Sequence, residues 1–80
     1  MSASGRRRRL GWAANLSGDE VCRALKRLGF VFQRQTGSHR HYAKGGRHPR
    51  VPVHREIRPK TLQSILKQAD LTLVELLANL

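Results

Sequence analysis

Phe30-Val31-Phe32-Gln33-Arg34-Gln35-Thr36-Gly37-Ser38-His39-Arg40-His41-Tyr42-Ala43-Lys44-Gly45-Gly46 decides the fold, because its side chains alternate in character and glycine interrupts the pattern twice. A period of two is that of a strand, whose successive side chains point to opposite faces. From Phe30 the pattern predicts Phe30, Phe32 and Arg34 on one face and Val31, Gln33 and Gln35 on the other. Thr36-Gly37 supplies a turn, and a second strand runs from about Ser38 to Lys44. Gly45-Gly46 is a two-residue hairpin signal, since such turns need a positive φ that glycine adopts without steric cost. A third strand is expected from about Arg50 to His54, with Val51 and Val53 on one face. Pro52 lacks an N–H for a ladder bond and so suits an edge. The result is a three-stranded antiparallel meander.

Helical patterns lie on both sides of it. Ser17 and Glu20 form an S-x-x-E capping box at a helix start, and Val21, Leu25 and Leu28, with Ala24, recur at helical spacing. Gly29 stands where a left-handed cap ends such a helix. Cys22 flanks the apolar face as a small, semi-buried side chain with no His or acid at helical spacing to activate it. Pro59 fits the first turn of a second helix, whose stripe is Leu62, Ile65, Leu66 and Ala69. Thr72 and Glu75 make another capping box, and Leu73, Leu76, Leu77 and Leu80 a third stripe. The predicted fold class is α+β, in the order α-β-β-β-α with a short C-terminal helix and the helices on one face of the sheet.

With 80 residues the chain has room for one modest core. Residues 1–16 read as a basic, disordered extension, and 17–80 as a single domain. Sixteen Lys and Arg stand against five Asp and Glu, a formal charge of +11, which points to an anionic partner, nucleic acid first. Four of those charges are Arg6 to Arg9 in the extension, yet without them the balance is still basic. One cysteine, Cys22, allows no internal disulfide and no paired thiolates for structural zinc. No apolar run reaches the roughly 18 residues of a membrane span, and no hydrophobic segment of the secretory kind follows the arginines. A soluble, cytoplasmic protein is expected.

Three stretches carry a resemblance. They are Leu28-Gly29-Phe30 at the helix end, Arg34-Gln35-Thr36-Gly37-Ser38-His39, and Val51-Pro52-Val53-His54 followed by Ile57-Arg58-Pro59-Lys60-Thr61-Leu62 and Ile65-Leu66. In this order and spacing, Ser17 to about Val74 resembles the HicA toxin family, small ribonucleases (mRNA interferases) of toxin–antitoxin systems with a fold like the double-stranded-RNA-binding domain. The arginine-rich extension is not typical of the family, and Lys60 stands where the family often has glycine; neither touches His39. The resemblance implies that His39 is the catalytic residue, that mRNA is the substrate, that no cofactor is used, and that a HicB-type antitoxin is the partner.

The chemistry agrees with that implication. Cleavage of RNA without a metal uses the 2′-hydroxyl as nucleophile, so a proton must leave that oxygen and another must reach the departing 5′-oxygen. Imidazole, with an unperturbed pKa of about 6.5, does either near neutrality. His41 shares the predicted face of His39 by period two, while His48 and His54 are expected elsewhere, in structural or RNA-contact roles. Alternation places Arg40, Tyr42 and Lys44 opposite the two histidines, with Tyr42 the expected core residue of its strand. Candidate RNA contacts are Arg34, Ser38, Arg40, His41, Lys44, Arg47, Arg50 and Lys60, with Arg58 and Lys67 near the second helix. Strand parity does not let all of them face one way. No metal site is expected, because no acid or cysteine adjoins the His39-x-His41 pair and cations surround it. Two other readings use the same residues: a noncatalytic RNA-binding module of the same fold, and a basic interaction protein that meets no RNA.

Overall fold

A computed structural model of the chain describes residues 16–80. The extension assigned to residues 1–16, with Arg6 to Arg9 and Trp12, lies outside them except for Leu16. That residue corrects the predicted boundary: its side chain is buried in the core, and its carbonyl accepts from the Ile57 N–H at 2.7 Å.

The elements follow in the order α1 (Gly18–Arg27), β1 (Val31–Thr36), β2 (His39–Ala43), β3 (Arg50–Pro52), α2 (Pro59–Ala69) and α3 (Leu73–Leu77). This is the expected α-β-β-β-α order with a short C-terminal helix. The sheet is antiparallel in the order β1-β2-β3, so Pro52 does lie on an edge strand. Ser17 caps α1 through the complete box: its hydroxyl accepts from the Glu20 N–H (3.1 Å) while the Glu20 carboxylate accepts from the Ser17 N–H (2.9 Å). At the other end Gly29, at φ 98°, lets the Phe30 N–H return to the Leu25 carbonyl (2.9 Å) and the Gly29 N–H to that of Lys26 (3.0 Å). These two bonds close the C-terminal end of the helix, where carbonyls run out of partners one turn on.

Gly18 has a second, tertiary role. Its N–H donates to the His54 carbonyl (2.8 Å), and a Cβ on it would meet the Pro52 carbonyl oxygen at well under 3.0 Å. Only a residue without a side chain brings the start of α1 this close to the end of β3.

Val21, Cys22, Ala24 and Leu25 of α1 pack with Leu62, Ile65 and Ala69 of α2, Leu76 of α3, and Phe30, Tyr42, Val51 and Ile57. Burial of each Leu, Ile or Val contributes about 2 kcal/mol. Tyr42 is the buried residue of β2, as expected. Burial, together with the Cys22 sulfur beside it, pushes its phenol up to about 12, so it stays protonated. Of the third stripe, Leu76 is buried and Leu73 packs partly against the core, whereas Leu77 and Leu80 remain exposed. Arg27 fastens this end of the chain, its Nη1 donating to the Leu80 carbonyl at 2.8 Å. Among the described residues no helix is long and apolar enough to cross a membrane.

Two backbone features depart from the sequence reading. The end of α2 turns on Asp70, at φ 57°, in the left-handed region where glycine is usual. In β1 the pairing Val31 with Ala43 and Phe32 with Tyr42 gives way to Arg34 with His41, Gln35 with Arg40 and Thr36 with His39. Gln33 is an inserted residue, and a bulge of this kind reverses the faces of the residues beyond it. Arg34 therefore leaves the Phe32 face, where simple alternation put it, and joins the histidines.

Candidate functional site

Directly opposed residues of an antiparallel pair share a face. His39 opposes Thr36 on one side and Pro52 on the other, and His41 opposes Arg34 and Arg50. All six side chains thus belong to the sheet face away from Tyr42. His39 is exposed at the first position of the central strand, between the two flanking strands.

Helix α2 borders this face along the β3 edge, where the Gln68 Oε1 accepts from the Arg50 N–H (3.0 Å). A groove of about 410 Å³ results, with His39, His41 and Arg50 on the sheet side and Thr61, Ser64 and Gln68 on the helix side. A smaller depression of about 260 Å³ lies on the other flank of His39, where His54, Glu56 and Arg58 join it. Thr61 and Pro52 line both, so His39 stands on the ridge between them. A third hollow brings His48 beside Arg34, His41 and Arg50.

The face therefore gathers all four histidines, not the two expected from β2. The sequence reading expects His54 elsewhere, in a structural or RNA-contact role; the register of β3 brings it to this face. The Val53 N–H donates to the Ser38 carbonyl (2.7 Å), carrying the pairing one residue past Pro52, so His54 continues on the face of Pro52 and His39. Thr61, Ser64 and Gln68 carry no pattern of their own in the sequence, since exposed polar residues on a helix are ordinary.

The predicted cationic contacts divide. Arg34, Arg50 and His41 come together beside His39. Arg40 faces the other way, where its guanidinium donates to the Asp19 carboxylate at 3.1 Å and to the Gln35 side chain at 3.4 Å. Lys44 also lies on that side, its ammonium donating to the Leu28 carbonyl (2.7 Å) at the end of α1 and standing 5.7 Å from the centre of the Phe30 ring. Arg47, at the Gly45-Gly46 hairpin, faces Asp70 at 3.6 Å. Ser38 is in the tight turn before His39, and Lys60 is exposed in the first turn of α2.

His41 is held below the usual histidine value, first by partial desolvation, then by the charges of Arg34 and Arg50 and by His39. It is therefore mainly neutral at pH 7. Protonating it is harder in the folded chain than in the unfolded one, so its contribution to stability is present above pH 6.5 and declines as pH falls below that. An anion bound between Arg34 and Arg50 favours the protonated ring, and by linkage binds more tightly as pH is lowered from 7. NMR titration is expected to show His41 titrating below 6.5 in the free protein, moving upward with inorganic phosphate and upward in Arg34→Gln. A His41 value unmoved by either change would remove this electrostatic reading. Among the described residues no group of three or more His, Cys, Asp or Glu is arranged to hold a metal.

This arrangement suits an anionic substrate: cations at one end, neutral hydroxyl and amide groups along one wall, and an accessible imidazole between two hollows. Residues 18–71 match the family model for the HicA toxin of bacterial toxin–antitoxin systems, a span that holds all three strands, α1, α2 and the whole site. The chain belongs to the HicA toxin family. Membership makes it the toxin component of a toxin–antitoxin system, with an antitoxin as partner. No curated protein matches the chain.

Proposed function

We propose that this HicA-family toxin is a metal-independent endoribonuclease that cleaves mRNA in the cytoplasm, with His39 as general acid or base. The observation that supports it most is the exposed imidazole of His39 on a groove that Arg50 also lines, on the sheet face opposite Tyr42, with Arg34 opposed to the neighbouring His41. The substrate 2′-oxygen attacks the adjacent phosphorus, the bond to the 5′-oxygen breaks, and the products are a 2′,3′-cyclic phosphate and a free 5′-hydroxyl. Arg34 and Arg50 hold the phosphate and offset the charge that develops on it, and His39 handles one of the two protons. General acid–base help of this kind accelerates by about 10²- to 10⁴-fold, consistent with a slow enzyme.

A HicB-type antitoxin of acidic character inhibits such a surface by covering His39 and neutralising the arginines. Incubating the full chain with mRNA in EDTA is expected to yield fragments ending in cyclic phosphate and 5′-hydroxyl. RNA bound with steep salt dependence but left intact would assign the surface to a noncatalytic RNA-binding module instead.

A further inference from the structure

Resting on that ribonuclease reading, we infer that His54 is a second proton-transfer residue, handling whichever of the two protons His39 does not. Cleavage by the 2′-oxygen needs a proton removed on one side of the phosphorus and another delivered on the opposite side, and one imidazole contacts only one of these oxygens at a time. The smaller depression meets that requirement. His39 and His54 both line it, with the room between them open to solvent on the sheet face.

Register supports the same pairing independently. His39 opposes Pro52, and His54 follows two residues later on the same face. Diagonal neighbours of this kind stand about 7–8 Å apart at the backbone, a span that lets two imidazoles bracket one phosphodiester. The His54 backbone is fixed by the bond from the Gly18 N–H, so its ring is presented from an anchored position.

His41 is the other histidine beside His39, and its surroundings suit it to a different task. Arg34 and Arg50 oppose it on both neighbouring strands, which makes it part of the phosphate-holding cluster and disfavours the protonated ring. Around His54 the charged groups are mixed: Glu56 and Arg58 line its depression, His39 faces it from β2, and Asp19 in the nearby first turn of α1 is engaged by Arg40. Proton balance closes within the pair. One ring takes the 2′-hydroxyl proton, the other gives a proton to the 5′-oxygen, and exchange with water restores both.

The test compares kcat/KM against pH for the full-length wild type, His39→Ala, His54→Ala and His41→Ala. A second RNA oligonucleotide carries sulfur in place of the bridging 5′-oxygen at the mapped cleavage position. Both His39→Ala and His54→Ala should fold, as circular dichroism and thermal melting will verify, because both side chains are exposed. The wild type is expected to give a bell-shaped profile. His54→Ala should lose about 10²- to 10⁴-fold in rate and one limb of the bell, and His39→Ala the other limb. Sulfur leaves without protonation, so that substrate should restore the rate of one of these two variants and not the other. Wild-type rate in His54→Ala, loss of the same limb in both variants, rescue of both or neither, or loss of the limb in His41→Ala instead would each overturn the assignment. Those outcomes leave the ribonuclease reading standing; that reading fails if the wild type leaves RNA uncut, and its assignment of His39 fails if His39→Ala cleaves at the wild-type rate.

Discussion

His39→Ala is expected to reduce RNA cleavage by at least 10²-fold and to relieve the growth arrest that follows induction of the wild-type toxin, while the protein folds and holds RNA nearly as before. The separation of these effects follows from where the residue sits. His39 is exposed at the start of β2, outside the buried cluster, and its backbone pairs with Thr36 and Pro52 whatever its side chain. A surface substitution of this kind changes stability by no more than about 0.5 kcal/mol. On the proposed mechanism the phosphate is held by Arg34 and Arg50, which remain. The proton transfer alone is lost, and its worth sets the size of the drop. His39→Asn keeps a polar group of similar reach without a titrating nitrogen and should be equally inactive. Cleavage by either variant at the wild-type rate would falsify the role of His39.

The largest structural effect is expected at Gly18, a residue with no part in the chemistry. In Gly18→Ala the new methyl collides with the Pro52 carbonyl oxygen and crowds Val53 and His54, all backbone, so no flexible side chain yields to it. Either α1 slides away, opening its packing against β3, or β3 moves outward and breaks the Gly18–His54 hydrogen bond. Overpacking of this order costs about 3 kcal/mol, against roughly 3–10 kcal/mol for a domain of this size. The small gain in helix propensity from alanine offsets about 1 kcal/mol at most. A fall in Tm of roughly 10–20 °C should follow in calorimetry. Because Pro52 and His54 line the depression beside His39, residual folded protein should also cleave more slowly. An unchanged Tm would show that the contact relaxes freely.

Those residues also show where the sequence was legible and where it was not. Local signals read through: both capping boxes, the glycine after Leu28, the proline at the start of α2 and the Gly45-Gly46 hairpin all do what their chemistry favours. Tyr42 opposite the histidines followed from period two. Leu16 carries no such signal, because a lone leucine beside polar and small residues has no periodicity to recommend it. Gly18 looked like a neutral residue inside a capping box, since a close approach by a distant strand leaves no local mark. Asp70 carried no warning of a left-handed φ. Within the candidate site, period two already separates Arg40 and Lys44 from His39 and His41, but bringing Arg34 and Arg50 to the histidine face takes the bulge in β1 and the register of β3. Charge alone did not sort them, because the ion pairs to Asp19 and Asp70 join residues far apart in sequence.

Every residue of β1 is exposed, and a strand so open to solvent would ordinarily tolerate change anywhere along it. The pairing restricts that freedom, because the residue count back from the Gly37 turn decides which β1 side chains face the histidines, and the bulge at Gln33 absorbs the mismatch with Phe32. Deleting Gln33 leaves a regular ladder in which Phe32 still opposes Tyr42 and Arg34 still opposes His41; deleting Gln35 instead, with the turn pair Thr36–His39 kept, sets Arg34 opposite Arg40 on the Tyr42 side and brings Gln33 opposite His41. β1 is thus open to change in composition and at its bulge, while the count of residues from Arg34 to the Gly37 turn is what keeps that arginine beside the histidines.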